Sequence, residues 1–138
     1  MNRKELQEIA QIRIREAETL LHNGHFEGAY YLAGYAVECA LKACIAKQTH
    51  EHDFPDLKWA RKVYTHNLED LLSLAGLEEE RKMREKSDPD FSSNWAVVKD
   101  WSEEARYQVE IDEQKARDLV NAVTNENSGV LPWLKTLW

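Results

Sequence analysis

Apolar residues recur along this chain at three- and four-residue intervals, and nowhere do they alternate with period two. That pattern predicts helices and no sheet. Leu6, Ile9, Ala10, Ile14, Ala17, Leu20 and Leu21 are separated by Glu, Gln and Arg until Asn23-Gly24, which places a first amphipathic helix at about residues 3–22. A second helix is expected from near His25 to about Gln48, with Phe26, Ala29, Tyr30, Ala33, Val37, Ala40, Leu41, Cys44 and Ile45 as its main buried stripe. Tyr31, Gly34, Tyr35, Glu38 and Lys42 fall on another side of the same helix, so it is apolar nearly all round from Phe26 to Val37. Such a helix is central to a bundle or lies at an interface.

The later elements are shorter. Residues 49–64 carry a proline and mixed charge and read as a loop with one helical turn near Trp59. Thr65 is expected to cap a third helix through Leu68, Leu71, Leu72 and Leu74 that stops at Gly76. The run EEERKMREK at 78–86 reads as a solvated connection. A fourth helix is expected to start at Asp90 or Ser92/Ser93, with Trp95, Val98, Trp101 and Ala105 inward, and Asp112 to cap a fifth through Ala116, Leu119, Val120 and Val123. Gly129 to Pro132 then interrupts the chain before a last apolar turn, WLKTLW. Short connections of this kind predict one all-α domain over residues 1–138, an antiparallel up-and-down bundle of four to five main helices plus a short terminal apolar turn.

Composition narrows the function classes. A length of 138 residues suits one domain that needs no disulfide or metal staple. The formal net charge of −7 denies the molecule long-range attraction to polyanions, so any RNA contact must use a local basic patch. No apolar run spans a bilayer and the start of the chain lacks a signal-peptide core, which leaves the cytoplasm as the expected compartment, with no membrane partner. Cys39 and Cys44, five apart on one helix, point about 140° apart and read as small buried hydrophobes.

Three segments carry a family likeness: GHFEGAYYLAGYAVECALKACIA at 24–46, THNLEDLLSLAGL at 65–77 and EARYQ at 104–108. In that order and spacing, with Glu38 to Ala43, Thr65 to Leu68 and Ala105 to Tyr107 as the matching pieces, the chain resembles the HEPN family (higher eukaryote and prokaryote nucleotide-binding domains) over most of its length. The resemblance implies a small helical bundle that dimerises and is often encoded beside a minimal nucleotidyltransferase, some members being metal-independent ribonucleases and others non-catalytic binding partners. In the catalytic members an Arg and a His lie four to six residues apart near a late helix. Here Arg106 is followed by no histidine in reach, and the formal matches Arg61 to His66 and Arg15 to His22 are about what eight arginines and five histidines yield by chance.

The residues themselves suggest one constellation. A carboxylate at Glu38 on a crowded helix requires a cation, and Lys42 one turn on, or Arg106 from a packed later helix, can supply it. An Arg106–Glu38 salt bridge is expected on this ground. Glu38, Lys42, Arg106 and Tyr107 form the candidate ligand-binding set, and Arg106 with His66 the candidate catalytic pair of a ribonuclease, the histidine as acid/base and the arginine stabilising charge on phosphate. His66 otherwise reads as a helix-start residue bonded to backbone. His50-Glu51-His52-Asp53 supplies too few ligands, so no metal and no cofactor are expected. The clusters Lys58/Arg61/Lys62 and Arg81/Lys82/Arg84/Lys86 read as solvated faces, and His22 and His25 as cover for the first turn.

The reading that follows is a HEPN-type binding module, homodimeric, partner to a nucleotidyltransferase or binder of a nucleotide or RNA, and without strong catalysis. A toxin-like metal-independent ribonuclease and a structural homodimer without ligand are its alternatives. The apolar Trp133–Trp138 segment is expected either to pack back on the bundle or to dock on a second subunit, and the homodimer to use Tyr30, Tyr31, Tyr35 and that segment as a shared two-fold interface.

Overall fold

The computed structural model describes residues 1–48 and 61–138. Among them there are helices and no strands: α1 (Arg3–His22), α2 (Phe26–Gln48), α3 (Leu68–Leu74), α4 (Glu78–Ser87), α5 (Pro89–Lys99), a 3-10 turn (Glu103–Tyr107), α6 (Glu113–Thr124) and α7 (Val130–Lys135). Asn2 opens α1 through a capping box, its side chain accepting from the Glu5 amide at 2.9 Å while the Glu5 carboxylate accepts from the Asn2 amide at 3.1 Å. Gly24, at φ +79°, lets the chain reverse between α1 and α2.

α1 and α2 form the most extensive helix pair, and α2 is also packed by α3, the 3-10 turn, α6 and α7. Ala29, Ala33, Ala36, Ala40 and Ala43, all fully buried, keep α2 thin enough for neighbours to approach on several sides. Between α2 and the chain after α5 the approach is closest of all. A Cβ added at Gly34 would stand 2.2 Å from ring atoms of Trp101, whose indole also stacks on Tyr31 (centroids 6.1 Å apart). The Trp101 N–H has no hydrogen-bond partner among the described residues, a cost accepted for this flat contact.

Several boundaries differ from the sequence expectation. Asn67, not Thr65, caps α3, accepting from the Asp70 amide at 3.0 Å, while the Thr65 hydroxyl accepts from the Asn67 amide at 3.1 Å. The charged run at 78–86 is a helix, not a connection: Glu78, Glu79 and Glu80 lie at its positive end, Arg84 and Lys86 at its negative end, and Arg81 pairs with Glu85 at 3.2 Å, so α4 holds without burying any residue. α5 starts earlier, with Asp88 as cap and Pro89 in the first turn, and ends at Lys99. Trp101 and Ala105 are buried as expected, but from the loop and the 3-10 turn, because the Ser102 hydroxyl captures the Glu104 amide and starts a new turn. Asp112 does cap α6. Pro132 does not interrupt the chain; it sits in the first turn of α7, where its missing N–H is harmless.

The terminal apolar segment docks within the same chain. Val130, Leu131, Trp133 and Leu134 are buried, and Trp133 meets Phe91 edge to face at 5.0 Å. Arg3 donates to the Trp138 carbonyl at 3.1 Å and Lys47 to that of Leu137 at 3.2 Å. Tyr30 is likewise covered, with the Lys115 ammonium 5.2 Å from its ring centre. The surface expected of these residues in a homodimer is therefore used inside one subunit. Trp59 and the turn expected around it lie outside the described residues.

Cys39 and Cys44 are buried and free, and burial pushes both thiols up to about 11, so neither is a nucleophile at neutral pH. Among the described residues no helix is long and apolar enough to cross a membrane.

Two stability predictions follow from close contacts. Gly34→Ala drives a methyl into Trp101 and should destabilise the fold by about 3 kcal/mol in urea unfolding; pairing it with Trp101→Leu should cost less than the sum of the two single changes. At the α4–α5 junction, the Asp88 carboxylate accepts from the Ser128 hydroxyl at 2.8 Å, the Phe91 amide at 3.1 Å and Arg84 at 3.3 Å, which hold its pKa below the ordinary value. Its contribution is complete above the ordinary carboxylate range and is lost as pH falls through the lowered folded value. Melting curves at neutral pH should place Asp88→Asn below the native protein, and the gap should close in acid.

Candidate functional site

The second face of α2, with Tyr31, Tyr35, Glu38 and Lys42 a turn apart from one another, carries the polar cluster of the molecule. Glu38 is only 2% exposed. Leaving an ionised carboxylate there without partners would cost several kcal/mol, and two neighbours meet it. Lys42, one turn on, places Nζ 3.4 Å from Oε2. His66, delivered by the segment before α3, places Nδ1 2.8 Å from Oε1.

The expected Arg106–Glu38 salt bridge is not formed. Arg106 projects from the 3-10 turn, exposed, with its guanidinium 4.8 Å from the centre of the Tyr107 ring. Hydrogen bonding to Tyr107, and after it to Tyr31, raises the guanidinium pKa above its ordinary value, and the nearby charge of Glu103 acts the same way. The turn that should have carried Arg106 inward is not part of α5, and its geometry turns a different residue toward the site. Glu103 Oε2 lies 3.1 Å from Nε2 of His66. The imidazole, 43% exposed, thus stands between a buried acid and one about one-third exposed.

His66 therefore bonds side chains rather than backbone, and the helix-start role belongs to Asn67. The Glu38 carboxylate at Nδ1 fixes the plane of the ring as a carboxylate orients an acid/base histidine, and Nε2 is the ring atom on the outer side of the site, where it faces Glu103. Tyr35 and Cys39 do not compete with it. Burial, then the neighbouring Cys39 and Glu38, pushes the Tyr35 hydroxyl up to about 12. Tyr31 stacks on Tyr35 at 6.0 Å and on Trp101 at 6.1 Å, which fixes the floor from which Arg106 is reached.

Glu103 is the residue that sequence reasoning missed. It stands just before the EARYQ segment, and its only signal was that position. Around the cluster the chain exposes Tyr64, two residues before His66, together with Tyr107 and Val109, beyond Glu103. Arg61 is exposed on the approach to Tyr64 and makes no contact with the cluster, and His22 and His25 are exposed at the far turn. Arg81, Lys82 and Arg84 are engaged with Glu85, Glu79 and Asp88. Among the described residues no group of three or more His, Cys, Asp or Glu side chains is arranged to hold a metal ion, and the His50–Asp53 stretch and Lys58 lie outside them.

The family model of the HEPN domain matches residues 4–125, nearly the whole chain. The chain belongs to the HEPN domain family. At the level of the family it is a nucleotide-binding or ribonuclease-like module. Neither the comparison with curated proteins nor that with solved structures gave a match.

Because Glu38 is the reason for both of its partners, their removal should be felt more than its own. Lys42→Met and His66→Ala should each destabilise the protein by about 1–3 kcal/mol in chemical unfolding. Their combination, which strands the carboxylate, should cost more than Glu38→Leu, which removes the buried charge together with the need for compensation.

Proposed function

We propose that the chain is a non-catalytic or weakly catalytic binding module for a phosphate-bearing ligand, a nucleotide or single-stranded RNA, and that the ligand lies over His66 with Arg106 on its phosphate and Tyr107 against a base. One observation carries this reading: the imidazole held at 2.8 Å by a buried carboxylate, beside Lys42 and an exposed, permanently charged Arg106. Arg106 supplies a planar fork of donors suited to phosphate. Tyr107, 72% exposed, and Tyr64 offer faces on which bases stack without regard to sequence. The overall charge of −7 confines attraction to this patch, which suits a short ligand better than a long polyanion.

Membership of the HEPN family supports a cytoplasmic homodimer with a minimal nucleotidyltransferase as partner. A dimer would be built on the half-buried aromatic face of α2 and the exposed Val109, since the terminal segment is already covered. Sedimentation at micromolar concentration should give about twice the chain mass of 16.1 kDa.

A second reading has its own support. The Glu38–His66 contact is the carboxylate–imidazole arrangement that acid/base chemistry uses, and Arg106 could stabilise charge on a scissile phosphate. It lacks a histidine at family spacing after Arg106, which is why it stands second.

Titrating a short fluorescent oligoribonucleotide and adenosine monophosphate into the purified protein tests both. Binding should weaken roughly tenfold in Arg106→Ala and in His66→Gln. Cleavage in the presence of EDTA should be weak or absent; robust cleavage lost in both His66→Ala and Arg106→Ala would make the ribonuclease the function.

A further inference from the structure

We infer that Glu103 is a built-in competitor of the ligand, its carboxylate occupying at His66 Nε2 the place that a phosphate oxygen takes when ligand binds. The inference rests on the anion-site reading above and adds a gate to it. A carboxylate and a phosphate oxygen make the same demand of an imidazole N–H, so a group that sits 3.1 Å from Nε2 also marks where an anion fits.

The two carboxylates differ in the way such a device requires. Glu38 is buried, is matched by Lys42 and His66, and is fixed on the central helix. Glu103 is about one-third exposed, stands on a short turn, and makes a pair of the exposed kind, which contributes little to stability and is screened by salt. Withdrawing it requires no movement of the backbone. The turn is pinned by Trp101 and Ala105, both buried, so a rotation of the Glu103 side chain toward solvent uncovers Nε2 and leaves the fold as it is.

Charge balance gives the same result. An imidazole that donates to a carboxylate from each nitrogen carries a positive charge, so with Glu103 in place Lys42, His66 and Arg106 exceed the two carboxylates by one, and with it turned away by two, which suits a doubly charged phosphate. Glu103 also acts on Arg106 electrostatically, so its departure frees both anion-binding groups together. The closed arrangement therefore disfavours weak or adventitious anions, while a ligand that also stacks on Tyr107 can displace the carboxylate.

Glu103→Gln removes the competing charge and keeps the shape; Glu104→Gln, at an exposed neighbour, makes the same change in net charge away from His66. Inorganic phosphate, adenosine monophosphate and the short oligoribonucleotide should each bind Glu103→Gln roughly three- to tenfold more tightly than the native protein, a range set by the modest strength of an exposed pair. Glu104→Gln should change little, and adding His66→Gln to Glu103→Gln should erase the gain. An equal gain in both single variants would mean a general charge effect and would overturn the gate. Equal affinity of native protein and Glu103→Gln would overturn it while leaving the site intact. No binding by either would remove the gate and the anion site together.

Discussion

Thirteen of the twenty-three residues of α2 are buried, on all sides but the one that carries Tyr31, Tyr35 and Lys42. A helix buried over so much of its surface takes neighbours from the same chain on most flanks, and its side chains must be small where they come close. The alanines meet that requirement against α1 and α6, and Gly34 meets it against Trp101. The position of the 3-10 turn is a result of this contact. Because Trp101 must lie flat on Gly34, residues 103 to 107 follow at a fixed place over the second face of α2, above Tyr31 and Glu38.

The site inherits its order from the same constraint. A carboxylate enclosed by the bundle cannot be neutralised from solvent, and Lys42 and His66 supply what water cannot. This uses up one side of the imidazole and leaves the other at the surface. Rigidity is thus unevenly distributed: Glu38 and the ring face it holds are set by the core, whereas Glu103, Arg106 and Tyr107 stand on a turn whose outward side is free. A binding site made of one fixed and one adjustable half can accommodate ligands that differ beyond their phosphate.

Much of the architecture was legible because the spacing of apolar residues runs through α1, α2 and α6, with Asp112 as an evident cap for α6. The family likeness was legible as well, its three segments lying on α2, from Thr65 into α3, and on the 3-10 turn. α4 was not, because with eight of its ten residues charged it has no apolar face and leaves no period to read; the order of acids before bases marks it. The break after Lys99 was hidden too, since Trp101 and Ala105 continue the spacing of a helix that has already ended. That break also explains the site. Of the two cations expected for Glu38, Lys42 one turn on does pair with it, while Arg106, carried on the 3-10 turn and not on α5, does not. His66 was singled out for spacing to an arginine, while its actual partners are two glutamates distant in sequence.

The largest interface in the molecule, between α1 and α2, joins segments separated by a turn of three residues. Closing so short a loop costs little entropy, so the hairpin can assemble as soon as Gln48 has left the ribosome. His66 lies 18 residues beyond Gln48 and the 3-10 turn begins 55 beyond it, so at roughly 5–20 residues per second they follow on the order of one to four and three to ten seconds later. For that interval Glu38 is in water with Lys42 alone beside it, and the aromatic face of α2 is uncovered. The acid that later needs two cations is then a solubilising charge, placed where the nascent hairpin would otherwise be most adhesive.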